Sequence, residues 1–139
     1  MTGLRLIVHA DGGSRNNPGP AAFGYVICDE HDGPIESRGE FIGETTNNVA
    51  EYRGLIAAAE RAAALGAQSV EFRVDSELLQ RQATGAYRVK AAHLKPLHRQ
   101  LLAALARIPA WTVRHVPREQ NHRADALANR AMDVRGVVT

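Results

Sequence analysis

Four carboxylates occupy positions where stability alone gives little reason for them. Asp11 closes an apolar run and precedes two glycines, Glu51 opens an alanine-rich segment, Asp75 ends a second short apolar run, and Asp125 lies among the apolar positions of the last periodic segment. In open α/β sheets, sites gather at the carboxyl ends of strands and the adjoining helix termini. These four could therefore converge, although they are 40, 24 and 50 residues apart in sequence. Converging like charges cannot all stay ionised without a counter-charge, and a pair of Mg²⁺ ions would supply it, with Mn²⁺ as a substitute. Carboxylates suit hard cations. Cys28 is the single cysteine and the six histidines show no metal-ligand spacing, so no zinc site is expected. Two ions about 3.5–4 Å apart activate a water and stabilise the leaving oxygen of a phosphodiester. Phosphodiester hydrolysis is the reaction class these residues suit.

Each acid also has a purely structural reading. Asp11 before Gly12-Gly13 suits an Asx-turn. Glu51, three residues after Asn48, fits a capping box, and Asp75 fits an N-cap before Ser76-Glu77. Asp125 is harder to explain in this way, because Asp is a poor helix-interior residue.

The elements that would position these acids read as follows. Leu4 to Asp11 predicts a buried strand, Asn16 to Pro20 a loop, and Phe23 to Cys28 and Ile35 to Ile42 two more strands in an antiparallel meander. Asn48 to Leu65 predicts a helix capped by Asn48 and ended by Gly66. Val70 to Asp75 predicts a fourth strand and Ser76 to Ala83 a short helix. Leu94 to Ile108 predicts a helix with Leu94, Leu97, Leu101, Leu102 and Leu105 on its apolar face. Trp111 to Val116 predicts a fifth strand, and Asn121 to Met132 a last helix with the stripe Ala124, Leu127, Ala128, Ala131. The order βββαβααβα implies an α/β domain: a five-stranded mixed sheet, three antiparallel strands then two parallel, flanked by helices.

At 139 residues and 45% hydrophobic, the chain is expected to form one domain, residues 1–139, that needs no disulfide. No signal peptide or 18-residue apolar run is present, so a cytoplasmic monomer is expected. Residues 1–75 carry 6 Lys and Arg against 11 Asp and Glu, whereas residues 76–139 carry 11 against 4. A basic half beside an acidic one fits polyanion binding near a metal site, and equally fits a solvated surface.

Four motifs in order, Ala10-Asp11-Gly12-Gly13-Ser14-Arg15-Asn16-Asn17-Pro18-Gly19-Pro20, Thr45-Thr46-Asn47-Asn48-Val49-Ala50-Glu51-Tyr52, Val74-Asp75-Ser76, and Val116-Pro117 through Asn121-His122-Arg123-Ala124-Asp125 to Asn129, resemble the type 1 ribonuclease H family. The resemblance covers nearly the whole chain. It implies a ribonuclease H-like fold and endonucleolytic cleavage of the RNA strand of an RNA/DNA hybrid with two metal ions, leaving 5′-phosphate and 3′-hydroxyl ends. It implies Asp11, Glu51, Asp75 and Asp125 as metal-binding catalytic acids. Asn17, Asn47 and Asn48 match positions that read the minor groove, and Thr46 a contact to a DNA phosphate. Short amides both donate and accept, as recognition of base edges and the 2′-hydroxyl requires; Gly12 and Gly13 would let the backbone approach the sugar-phosphate chain. In isolation the same asparagines are ordinary turn and cap residues.

Three departures from the family pattern stand out. Between Thr84 and Leu97 only Arg88, Lys90 and Lys95 are basic, so the Lys-rich protrusion of many relatives is expected to be absent. Glu44 and Ala91 stand where the phosphate pocket often uses Arg and Asn. Arg118 stands where a catalytic-loop His is common, with His122, three positions before Asp125, the nearest substitute for it. A transposase or integrase core shares the fold but lacks the glycine-rich and Thr-Thr-Asn-Asn motifs, and a hybrid-binding module without catalysis would gain nothing from acids facing phosphates.

Overall fold

The computed structural model describes residues 3–139. Strands β1 (Arg5–Ser14), β2 (Gly19–Cys28) and β3 (Pro34–Thr45) form an antiparallel meander, followed by helix α1 (Asn47–Ala64). Strand β4 (Ser69–Val74), helices α2 (Glu77–Ala83) and α3 (Lys95–Ala106), strand β5 (Ala110–His115), helix α4 (His122–Val134) and strand β6 (Val137–Val138) complete the order. β4 pairs in parallel with β1 and with β5, so the sheet runs β5-β4-β1-β2-β3-β6. The expected three antiparallel and two parallel strands are present. A sixth, two-residue strand is added on the outer edge of β3, opposite Gly39 and Glu40.

Side-chain alternation along β1 separates the two faces of the sheet. Leu6, Val8 and Ala10 join Phe72, Leu55, Leu101 and Leu105 in the main core beneath α1 and α3. His9 and Asp11 point to the other side, where α4 covers β2 with Leu127, Ala128, Ala131 and Met132. This alternation places the first acid on the α4 face while its strand is held by the core on the opposite face.

Several boundaries differ from the sequence expectations, each for a local reason. α1 begins at Asn47, not Asn48, because the Thr46 hydroxyl accepts the Val49 N–H at 3.3 Å and takes the cap. Such a cap contributes about 1 kcal/mol. Likewise Ser76, not Asp75, caps α2 by accepting the Leu79 N–H at 3.1 Å. Both acids are thereby released from the capping roles offered above. Asp125 lies in the first turn of α4, where the helix dipole favours a carboxylate, and not in the helix interior. α3 starts at Lys95 after a 3₁₀ turn at Ala92–Leu94, and Leu102 is exposed instead of joining its apolar face. β2 begins at Gly19 and takes in Pro20, where the sequence predicts the end of a loop; the Asn17–Pro18 bond before it is cis.

Gly12 and Gly13 are adjacent yet answer to different constraints. A Cβ on Gly12 would lie 2.3 Å from the Ala50 carbonyl oxygen, so its missing side chain is what lets α1 sit on β1. A Cβ on Gly13 would meet only Asn47 Oδ1, at 3.6 Å. We therefore expect Gly12→Ala to cost about 3 kcal/mol or more through a backbone clash with no collapsible neighbour, and Gly13→Ala to leave the melting temperature within a few degrees. Equal melting temperatures for the two variants would refute this packing assignment.

Candidate active site

Each of the four acids arrives on a different element. Asp11 comes from β1, Glu51 from the first half of α1, Asp75 from the residue after β4, and Asp125 from the first turn of α4. Together with Gly12, Gly13, Ser14, Arg15, Asn47, Arg118 and Asn129 they line one cleft of about 490 Å³ at the carboxyl end of β4. A larger groove of about 760 Å³ between α1 and α3 has its Glu40 and Glu60 balanced by Arg53 and Arg107 and gathers no such cluster.

The electrostatics of the cleft are those of unneutralised acids. Burial pushes the Asp11 carboxyl far above the usual carboxylate range, and the negative charges of Asp75 and Asp125 push it further, against the Gly12 N–H that it accepts. Burial likewise raises Glu51 to about 7, with Asp75 adding to the shift and the Ser76 hydroxyl opposing it. Desolvation and like charges both penalise the ionised forms, and a bound cation reverses both penalties. The donor set, carboxylate oxygens alone, fits hard divalent ions.

Asn121 ties the acid-bearing segments together, a role the sequence did not disclose. It sits at the start of α4 without capping it; its side-chain amide instead reaches across and donates to the Ala10 carbonyl at 2.8 Å. Its own carbonyl accepts the Asp125 N–H at 3.1 Å, so one buried residue fixes β1 beside Asp11 and α4 at Asp125. Arg15 was also missed. Its guanidinium lies at the cleft, 2.8 Å from Asp133 and donating to the Asn129 carbonyl at 3.2 Å. An arginine inside a glycine- and asparagine-rich loop carries no periodicity that would set it apart.

The asparagines form a chain at the rim. Asn47 Oδ1 accepts from the Ser14 N–H at 2.7 Å and from its hydroxyl at 3.2 Å, while Asn17 Oδ1 accepts the Asn47 N–H at 3.0 Å. These bonds lock the β1–β2 loop to the start of α1 and leave the Asn17 and Asn47 NH₂ groups without a protein acceptor among the described residues. Asn48 is exposed beside them, outside the cleft lining. Arg118 stands in a 3₁₀ turn, Arg118–Gln120, facing the acids and forming no ion pair among the described residues. His122 turns elsewhere, its Nδ1 lying 3.2 Å from the Glu119 carbonyl, and it lines a separate hollow with Val26 and Arg130.

This arrangement, a mixed sheet in that strand order with acids from β1, α1, β4 and α4 meeting at one end, is the ribonuclease H-like fold. Residues 9–131 match the reverse transcriptase-like family model. The chain is 44% identical over 131 residues to a ribonuclease HI of Halobacterium salinarum, covering 94% of this chain and 66% of that one. It is 42% identical over 131 residues to a bifunctional protein of Mycobacterium tuberculosis, covering 94% of this chain and 36% of that one. The chain thus spans less than two thirds of the length of these relatives. Among solved structures, the N-terminal RNase H domain from Mycobacterium tuberculosis superposes with a TM-score of 0.91 at 41% identity, covering 94% and 95% of the two chains. LC11-RNase H1, solved in complex with an RNA/DNA hybrid, superposes with a TM-score of 0.88 at 44% identity, covering 94% and 98%. The chain belongs to the ribonuclease H family.

Proposed function

We propose that this chain is an endonuclease that hydrolyses the RNA strand of an RNA/DNA hybrid, with Asp11, Glu51, Asp75 and Asp125 holding two divalent ions, Mg²⁺ or Mn²⁺ in its place. The observation that carries this reading is the convergence of four acids from four elements into one cleft, where burial and neighbouring carboxylates favour the neutral forms of Asp11 and Glu51. When bound, the ions supply the Lewis acidity that activates water and stabilises the leaving oxygen, giving 5′-phosphate and 3′-hydroxyl ends. The chain's own residues do the rest. The NH₂ groups of Asn17 and Asn47, with Asn48, donate to base edges and the 2′-hydroxyl on the RNA side of the minor groove. Thr46 keeps its O–H free while its oxygen caps α1, so it can donate to a DNA phosphate. Gly13 keeps the cleft floor open, and Arg118 places a permanent positive charge beside the phosphate being cut. The chain acts as one domain and a monomer.

A labelled hybrid incubated with Mg²⁺, and the same mixture with chelator, tests the activity; RNA/RNA and DNA/DNA duplexes of the same sequence test the substrate class. Cleavage of the RNA strand in the hybrid alone is the expected result. Metal-independent cleavage, or cleavage of the DNA strand, would overturn it.

Between α2 and the 3₁₀ turn before α3 lies only the segment 84–91, with no Lys-rich extension. Fewer phosphate contacts release fewer counterions, so hybrid affinity should fall less steeply with salt than in relatives that carry such an extension. Grafting a Lys-rich protrusion between Gly85 and His93 should tighten binding and steepen the slope by about 0.9 per added phosphate contact, without changing which strand is cut. An unchanged salt slope would place the affinity elsewhere.

A further inference from the structure

On the α4 face, one strand step before Asp11, three potential ligands meet that are scattered in sequence. His9 lies on β1 and Cys28 ends β2, diagonal neighbours in the antiparallel register that pairs His9 with Val26. The turn that follows is locked by Asp29, whose Oδ1 accepts the N–H groups of His31 and Gly33 at 2.8 and 2.9 Å. That turn holds Asp32 at a left-handed φ of 63°, throwing its carboxylate back over the sheet, 2.7 Å from His9 Nε2. One ligand atom from each of His9, Cys28 and Asp32 lies within 4.8 Å of the others. No sequence spacing joins these three; they meet only in the folded chain.

A cation already marks the spot. Arg123 Nη2, from the first turn of α4, lies 3.2 Å from both Asp32 Oδ1 and His9 Nε2. We propose that His9 Nε2, Cys28 Sγ and Asp32 form a second metal site, for a thiophilic divalent ion of the zinc type, with Arg123 as the placeholder that leaves when the ion enters. Imidazole, thiolate and carboxylate together are a set zinc accepts, with a water in the fourth position. The exchange balances. The ion bonds to sulfur, the S–H bond breaks, its proton goes to solvent, and the Arg123 guanidinium swings out past half-exposed Asp32. Before the exchange Arg123 faces the Asp32 carboxylate at 3.2 Å and Arg73, shared with Glu71, lies 4.0 Å from its other oxygen. The exchange removes one guanidinium charge and one thiol proton and adds a dication, so the net charge around the buried sulfur does not change. His9 binds as the neutral ring with its proton on Nδ1.

The test uses the full chain in saturating Mg²⁺, which keeps the carboxylate cleft filled, titrated with Co²⁺ as the spectroscopic probe. Because Cys28 is the only cysteine, a thiolate-to-cobalt charge-transfer band reports on this site alone. We expect the band to saturate at one equivalent, to be displaced by Zn²⁺, to vanish in Cys28→Ala and to weaken in His9→Gln. Arg123→Gln, which removes the competing cation, should tighten binding roughly tenfold, about 1.4 kcal/mol. Should Cys28→Ala fail to fold, Asp32→Asn, on the exposed turn, must weaken Co²⁺ binding at least as much as Arg123→Gln tightens it. No thiolate band in the folded wild-type chain, or weaker binding in Arg123→Gln, would overturn the proposal and leave the cluster a structural ion network.

Discussion

Asp75→Asn is expected to cut hybrid cleavage at saturating Mg²⁺ by roughly a hundred- to a thousandfold, and Asp11→Asn and Glu51→Gln to do the same, with all three still folding. The stabilisation a catalytic metal gives the transition state amounts to several kcal/mol, and each 1.4 kcal/mol or so is tenfold in rate. Asp11 and Glu51 also weaken the metal-free fold. Asp11 and Glu51 have folded-state pKa values above their unfolded ones, so the folded chain holds more protons than the unfolded chain. Their stabilising contribution is complete below about pH 4 and is lost as the pH rises through Glu51's value of about 7 and on toward that of Asp11. Without metal at pH 8, Asp11→Asn should therefore melt above the wild type, by roughly 4 °C for each kcal/mol relieved, and the difference should close near pH 4. Mg²⁺ should raise the wild-type melting temperature at pH 8 more than that of the variant. Near-normal turnover in Asp75→Asn would sink the metal assignment; a lower metal-free melting temperature for Asp11→Asn at pH 8 would sink the electrostatic account.

Arg118→Ala is expected to have the next largest effect, a loss of roughly ten- to a thousandfold in kcat, the range for removing one positioned charge-stabilising donor, with a smaller change in hybrid binding. Arginine stays protonated throughout the working pH range, so its contribution is a fixed charge and a forked donor pair, not proton transfer. Its freedom from any ion pair among the described residues leaves that fork available to a phosphate oxygen. Arg118→Lys should recover only part of the loss, since a point charge lacks bidentate geometry. His122→Ala is the control: it faces away from the cleft and should leave kcat nearly unchanged. The reverse pattern, His122→Ala crippled and Arg118→Ala intact, would show that the assisting residue is the histidine.

The element order and the strand directions were legible because apolar runs and an alanine-rich helix are local signals whose meaning survives folding, whereas the gathering of the four acids followed from the family resemblance, their positions alone only allowing it. What stayed hidden depends on register. His9, Cys28 and Asp32 meet only because β1 and β2 pair with His9 opposite Val26 and because one aspartate takes a left-handed turn. Asn121 reads only as the opening residue of the last helix, and nothing local marks that its amide reaches β1. The choice between Thr46, Asn47 and Asn48 as cap rested on which side chain another segment would claim, and Asn47 is claimed by Ser14. β6 was invisible because two residues have no periodicity.

That short strand has an effect out of proportion to its length. Strand β3 runs for twelve residues along the border of the sheet, and Val137–Val138 shield it only at Gly39 and Glu40. The rest of the border would invite a neighbouring molecule's backbone, were it not studded with Glu36 and Arg38 just before the shielded Glu40. Arg38 is engaged with Glu40 at 2.9 Å and Glu36 with Arg61 at 2.6 Å, so the charges that guard this margin are pinned in place. Val137 and Val138 thus serve less as ballast for the fold than as insulation, keeping one molecule's sheet from continuing into the next at high concentration.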